Sequence, residues 1–571
     1  MPVPSRARRR SAALLAATAL CLVPALAPAS ASPGSHRGPH GGHHPGPRHG
    51  LPEVVDLSVT DQLDLLGAGR TTSVDLVRAY LARIDAYDDA YADQPGLQSV
   101  VTVSPTALEN ARLLDAERAA GISRGPLHGV PVLVKDNYAT YDMPTSAGSV
   151  ALADYQTLED STAVQRLRDA GAIVLGKTNM AEFAWHGTFT LSSVRGETHN
   201  PYDQRVSASG SSGGTGAAIA ASFAAAGLGT DSCGSIIGPS AHQSLVGYRP
   251  TMGLTSVAGI VPLSVRQDVS GPMTTTVEDA ALLGSVLAGV DPADPQTAIA
   301  AEQDPSTFVP GLSDTALQGK RIGYFHWDYS ESTPEGARPG TEEVTAIVDD
   351  AVEDLAEQGA QIVDVPFTRE FVREQLASGG WIDMRPSIDA FFAATKAEWP
   401  EGLAELTAPY DQLTFSDVAA DGRSSLEPET IESWLALEDV PNAEFDAAVA
   451  AQEAGKDAMD AFFEEHDLDA LAMPTSEAPA NEEWAGTTFC DVGANTGVPS
   501  ISLPAGFTAA GLPVGLELAA PRSTDATLLA MAYDYEQATQ HRLPPASTPE
   551  LPRKGGVPKQ VVATGPVREE G

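Results

Sequence analysis

The run GVPVLVKDN, from Gly129 to Asn137, brings a lysine directly onto the end of an uninterrupted apolar, β-branched stretch. A strand with one face in water alternates apolar and polar residues. This one does not, so it reads as a strand covered on both faces. The run AIVL from Ala172 to Leu175 repeats the pattern, and Ala163 to Ala170 before it has helical character. Further upstream, Thr72 and Ser73 offer a helix N-cap, and Leu76, Val77, Tyr80, Leu81 and Ile84 recur at helical spacing. Helices alternating with short buried strands predict an α/β fold whose sheet carries helices on both faces.

The texture changes between about residues 300 and 468. Acidic, alanine-rich helical patterns dominate there, as in Val344 to Leu355 and Ala447 to Phe463. This stretch is expected to be a mostly helical insert able to roof a pocket. Strand character returns at Asp469 to Met473 and at Pro499 to Leu503. The ordered domain is expected to run from residue 51 to 543, with 544–571 a loose, Pro/Gly-rich tail. No internal repeat is visible.

Charge narrows the partners. Acidic residues outnumber basic ones 76 to 35, a formal charge of −41. Such a surface repels nucleic acid and anionic lipid alike, so neither a nucleic-acid nor a membrane partner is expected. Nothing in the sequence fixes the oligomeric state.

The beginning of the chain reads as an address. Arg6, Arg8, Arg9 and Arg10 precede an apolar segment from Ala12 to about Ala27, and Ala29, Ser30 and Ala31 suit cleavage. Residues 1–31 are therefore expected to be a secretory signal peptide, by either the Sec or the twin-arginine route. Residues 32–50 are mostly Gly, Pro and His, and read as a flexible linker. Its histidines (His36, His40, His43, His44 and His49) have no cysteine or carboxylate among them, so no metal site is expected there. Beyond the signal only Cys233 and Cys490 remain, allowing at most one internal disulfide.

Chemistry concentrates in three places. A lysine leaving a buried strand loses hydration, and Lys135 so placed can become a neutral base; alternatively it reaches back to solvent. Gly210, Gly213, Gly214 and Gly216 surround Ser211 and Ser212 in a turn before a small-residue helical stretch, Ala217 to Ala226. That helix would aim unsatisfied N–H groups at the two serines. Gly210, Ser212 and Gly214 also spell the nucleophile elbow of an α/β-hydrolase-like esterase, which would make Ser212 the nucleophile. That reading wants a strand into the elbow and a histidine partner, and the segment from Tyr202 to Ala208 is a poor strand. The third place is the turn GTDSCGS from Gly229 to Ser235, whose successive N–H groups can form an oxyanion hole.

The whole constellation resembles the amidase signature family of Ser–Ser–Lys amide hydrolases, from about Leu57 to Ala532. Supporting segments include LHGVPVLVKDN (Leu127 to Asn137), GKTNMAEF (Gly176 to Phe183), VGYRPT (Val246 to Thr251) and GPMT (Gly271 to Thr274). The resemblance implies a mixed sheet and a cofactor-free hydrolase acting on a small-molecule or peptide amide. Matched residue by residue, Ser235 would be the nucleophile, Lys135 the base and Ser211 the bridging serine following a cis peptide bond. Ser212 and Gly210 would support the pair. The amides of Ser232, Cys233, Gly234 and Ser235 would receive the oxyanion.

The chain departs from the family pattern in three places. Ser209 and Gly210 stand where two glycines are usual, and Cys233 stands at another glycine position. Ile237 and Gly238 occupy the places where an arginine commonly follows the nucleophile. Losing that guanidinium removes either a structural ion pair or a carboxylate-binding group, so either stability comes from elsewhere or the pocket accepts neutral substrates. The alternative to an active hydrolase is a weakened, substrate-binding protein on the same scaffold.

Overall fold

The computed structural model describes residues 51–552 apart from 91–93, 326–336, 377–379, 396, 399–412 and 486–489. The expected signal peptide and histidine-rich linker lie outside the described residues.

One large mixed sheet organises the chain. Its strands, numbered along the chain, are β1 (Val100–Val103), β2 (Pro131–Lys135), β3 (Ile173–Thr178), β4 (Ala226–Asp231), β5 (Val246–Arg249) and β6 (Val269–Thr274). They continue with β7 (Arg321–Tyr324), β8 (Gln361–Asp364), β9 (Ala470–Pro474), β10 (Ser500–Phe507) and β11 (Pro513–Ala519). Across the sheet the order is β1-β3-β2-β4-β6-β5-β10-β11-β9-β7-β8. Strands β3, β2 and β4 run parallel, as do β9, β7 and β8; the pairings between these two groups are antiparallel.

Every residue of β2, β3, β4, β5, β6, β9 and β11 is buried, as expected for a sheet covered on both faces. The covering helices include α1 (Ser73–Tyr87), α2 (Thr162–Asp169), α3 (Gly213–Ala220), α4 (Ile237–Ala241), α5 (Val277–Leu287) and α6 (Thr341–Glu357). Later come α7 (Met384–Ala394), α8 (Ala443–His466), α9 (Cys490–Thr496) and α10 (Asp525–Thr539). The Thr72 hydroxyl caps α1 by accepting from the Asp75 amide at 3.0 Å.

Three expectations are corrected here. The small-residue helix α3 begins at Gly213 and ends at Ala220, because Ala226 already belongs to β4. The stretch 300–468 is not only a helical roof. It sends β7 and β8 into the sheet edge, with α6 as the crossover that lets two parallel strands lie side by side. Another part packs over the sheet: Phe391, Phe392, Phe415 and Trp434 cluster with Phe183, Val261 and Leu263.

The start of the expected loose tail, residues 544–552, is also tighter than its composition suggests, while residues 553–571 lie outside the described residues. The buried Arg83 guanidinium donates to the carbonyls of Thr548 and Pro549 at 2.7 and 2.9 Å. Glu550 accepts from the amides of Val54 and Val55 at 2.7 and 2.8 Å. Residues 544–552 are thus clamped to the start of the domain.

Candidate active site

Lys135 closes β2, and Thr230 lies near the end of the adjacent strand β4. Lys135 Nζ is 2.8 Å from Ser211 Oγ, 2.9 Å from Thr230 Oγ1 and 3.4 Å from the Thr230 carbonyl. A neutral amine has two N–H donors and one lone pair. Two N–H groups toward Thr230 leave the lone pair for the Ser211 hydroxyl. Asn137 Nδ2 donates to Thr230 Oγ1 at 3.1 Å and holds that acceptor in place.

Burial pushes the Lys135 ammonium down to about 7, against the opposing pull of the nearby Asp231 and Asp268 carboxylates. The lysine is fully buried, so the alternative in which it reaches solvent is closed.

The Gly210–Ser211 peptide bond is cis. A β-carbon on Gly210 would lie 2.3 Å from the Phe189 carbonyl oxygen and 2.5 Å from that of His186, so no larger residue fits. The Gly210 amide donates to the Gly187 carbonyl, and the Ala181 amide to the Ser211 carbonyl. Segment 181–189 therefore cradles the serine pair. Ser212 is the N-cap residue of α3, and its hydroxyl donates to the Thr230 carbonyl at 3.2 Å. No strand enters this turn from Thr198 onward, and His242 faces Ser476. The elbow arrangement with Ser212 as nucleophile is thus not built.

The turn after β4 carries Ser235, which is almost fully buried. Asp231 organises it: its carboxylate accepts from the Gly234 amide at 2.8 Å and the Ile236 amide at 2.7 Å. Gly234 has φ +88°, a backbone conformation that favours glycine. Among the described residues, the amides of Ser232, Cys233 and Ser235 have no hydrogen-bond partner in the protein. Gly234 leaves the expected oxyanion set, since its N–H is spent on Asp231.

Residues that sequence reasoning left unassigned complete the support. Arg249 pairs with Asp231 at 3.3 Å and donates to the Gln267 carbonyl. Asp268 accepts from the Ser232 hydroxyl and from the Leu263 and Ser264 amides, and burial raises its carboxyl to about 6. Asp231, Arg249 and Asp268 all stand in or beside quoted motifs, but only the fold shows which amide or charge each one meets. Cys233 and Cys490 are joined in a disulfide. No cluster able to hold a metal ion occurs among the described residues.

The sequence pattern of the family described as Amidase matches residues 75–529. The chain belongs to the amidase family. This amidase is 33% identical over 509 residues to a glutamyl-tRNA(Gln) amidotransferase polypeptide of Rhodopirellula baltica, covering 86% of this chain and 98% of that one. It is 32% identical over 502 residues to the mandelamide hydrolase of Pseudomonas putida, covering 84% and 90%. Among solved structures it resembles the native peptide amidase of Stenotrophomonas maltophilia, with TM-score 0.75 and 33% identity over 86% of this chain and 98% of that one. The amidase is accordingly an amide-hydrolysing enzyme, and its mixed sheet is that of the amidase signature structures.

The half-buried Trp185 and Trp381 meet edge to face at 6.1 Å, and Trp185 meets Trp434 at 5.3 Å. In the amidase these rings join the cradle around Ser211 to the helical roof.

Proposed function

We propose that this amidase cleaves a neutral carboxylic amide through an acyl-enzyme on Ser235, with Ser211 as proton relay and Lys135 as base. The observation that carries the reading is the 2.8 Å approach of Lys135 Nζ to Ser211 Oγ, in a buried setting that favours a neutral amine near pH 7. Ser235 Oγ attacks the carbonyl carbon and passes its proton to Ser211 Oγ, whose own proton moves to Lys135 Nζ. The carbonyl oxygen becomes an oxyanion facing the partnerless amides of Ser232, Cys233 and Ser235. Collapse breaks the C–N bond while the relay returns the proton to the leaving nitrogen. Water then repeats the sequence on the ester and frees the acid and Ser235.

Neutral substrates follow from the charges around the turn. Arg249 is committed to Asp231, Arg266 to Asp383 and Lys177 to the Tyr138 and Pro144 carbonyls beside Asp136. With Ile237 and Gly238 at the arginine positions, none of these three cations is left for a substrate carboxylate. Relatives named mandelamide hydrolase and peptide amidase support a small-molecule or peptide amide.

The reading includes export. The arginine-then-apolar leader and a disulfide next to the nucleophile both suit an oxidising compartment. N-terminal sequencing of protein from culture medium checks this: a start near residue 32 is expected, and an intact Met1 in the cytosol overturns it.

The deciding experiment is ammonia release from a panel of neutral amides by wild type and Ser235→Ala. Activity in the wild type with loss in the variant is expected. Activity surviving in Ser235→Ala overturns the assignment, and a wild type that binds amides without cleaving them points to a binding protein instead.

A further inference from the structure

The turn bearing Ser235 is held by three anchors, and two of them are carboxylates that accept hydrogen bonds. Asp231 grips the Gly234 and Ile236 amides, and Asp268 takes the Ser232 hydroxyl. Cys233 lies between these anchors. Its amide has no protein partner among the described residues, and a glycine at this position would leave the peptide free to rotate. The Cys233 side chain supplies the third anchor, through its disulfide to Cys490, 257 residues away in sequence.

Cys490 is the first residue of α9, and α9 is itself fixed. Asn495 accepts from Gln267 Nε2 at 2.8 Å and donates to the Leu376 carbonyl at 2.5 Å. Gly493 faces Arg249, where an added β-carbon would sit 3.4 Å from Arg249 Cδ. Arg249 in turn pairs with Asp231. A closed circuit results, from Asp231 through Arg249 and α9 to Cys490, and across the disulfide back to Cys233. It frames the peptide whose N–H faces the expected oxyanion.

We propose that Cys490 is a positioning residue, acting through the disulfide to aim the Cys233 amide at the developing oxyanion. This rests on the Ser235 reading. An oxyanion donor counts only if it is aimed before the reaction, and losing one costs about 10²–10³ in kcat. Releasing the tether lets the Cys233 peptide turn without deleting its N–H, so a drop of about tenfold or more is expected. Both cysteines are half-buried, so a reductant can reach the bond.

The test uses the mature, folded enzyme. Wild type is compared with Cys490→Ser, with the volume-keeping pair Cys233→Ala/Cys490→Val, and with wild type treated with a water-soluble phosphine. The phosphine takes up oxygen from water as the disulfide gains two electrons and two protons to become two thiols. Two readouts are taken well below each form's Tm: kcat and KM for the best amide of the panel, and the rate at which a fluorophosphonate modifies Ser235. The expected result is a fall of about tenfold or more in kcat and in modification rate, with KM changed less than about threefold.

Full kcat and full modification rate in the untethered forms overturn the proposal. So does a lower Tm with kcat retained, which marks the disulfide as a structural staple only. Should Cys490→Ser fail to fold, the reduced wild type and the apolar pair decide. Activity persisting in Ser235→Ala removes the underlying mechanism instead, so the two failures are distinguishable.

Discussion

Lys135 Nζ and Ser211 Oγ sit 2.8 Å apart inside a fully buried pocket of polar groups, with Thr230 taking the remaining N–H donors of the amine. Only the neutral amine can accept the Ser211 proton. With burial pushing Lys135 down to about 7, log kcat/KM is expected to rise with slope near one below that pH and to level above it. A pH–rate profile checks this. Lys135→Met should lower kcat by about a thousandfold or more while the fold persists by circular dichroism.

The same burial predicts a stability signature. In the unfolded chain a lysine keeps its proton up to about 10.4, whereas folded Lys135 releases it near 7. Between these values the unfolded state binds more protons, so this group makes folding more favourable as pH rises. Below about 7 the charged, buried lysine costs on the order of a few kcal/mol. Lys135→Met removes that dependence. Its stability relative to wild type should be greatest at pH 7 and below and should decline toward pH 10, as read by urea denaturation across that range.

The two adjacent serines should separate cleanly. Ser211 faces Lys135 Nζ, while Ser212, at the N-cap position of α3, spends its hydroxyl on the Thr230 carbonyl and not on a helix amide. Ser211→Ala is expected to cost about 10³ or more in kcat by breaking the relay. Ser212→Ala loses one buried hydrogen bond, worth about 1 kcal/mol, and should retain activity within about tenfold. Steady-state kinetics on both variants checks the ordering. A larger loss in Ser212→Ala would restore the elbow arrangement.

How much of this was legible in the sequence depends on the range of each interaction. Buried strands and the cap of α1 were legible because they are written in neighbouring residues. Lys135 and Lys177 show where local reading stops. Both lie at the end of apolar strands, yet Lys135 pairs with Thr178 while Lys177 pairs with Val134. Successive residues of a strand point to opposite faces, so the two lysines leave opposite sides of the sheet. Only Lys135 reaches the serines; Lys177 meets the Tyr138 and Pro144 carbonyls. Motif resemblance singled out Lys135, and periodicity by itself had no means to. Gly234 was misjudged for a related reason: whether an N–H in a turn is free depends on Asp231, three residues back, folding its carboxylate over it. The tail and the strands β7 and β8 were missed because their partners, Arg83 and β9, lie far away in sequence.

Asp231 links turn geometry to a buried charge. Replacing it by Asn keeps the shape but leaves Arg249 without its carboxylate, in a site where that guanidinium is fully buried. Breaking a buried pair from one side costs about 3–5 kcal/mol. Asp231→Asn should therefore lower Tm strongly and also lower kcat, since the Gly234 and Ile236 amides lose their charged acceptor. Thermal denaturation and kinetics on Asp231→Asn, with Arg249→Met and the double variant, check the coupling. The double variant should be more stable than the sum of the single losses predicts.

Arg83 offers a test of the clamped tail. Its guanidinium, buried in α1, donates to the carbonyls of Ala221 and Ser222 after α3 and to those of Thr548 and Pro549. It thereby joins the chain that follows the serine pair to the last described segment. Arg83→Met keeps the aliphatic volume but strips these carbonyls of a charged donor, and each unsatisfied buried acceptor costs about 1–3 kcal/mol. Ending the chain at Leu543 removes two of the acceptors, together with the Glu550 contacts to Val54 and Val55. Each change alone should lower the urea midpoint. Combined, they should cost less than their sum, because the truncated chain has already lost half of what Arg83 holds. Additive losses would show that the guanidinium and the tail act independently, and an unchanged midpoint on truncation would return residues 544–552 to the loose tail their composition suggests.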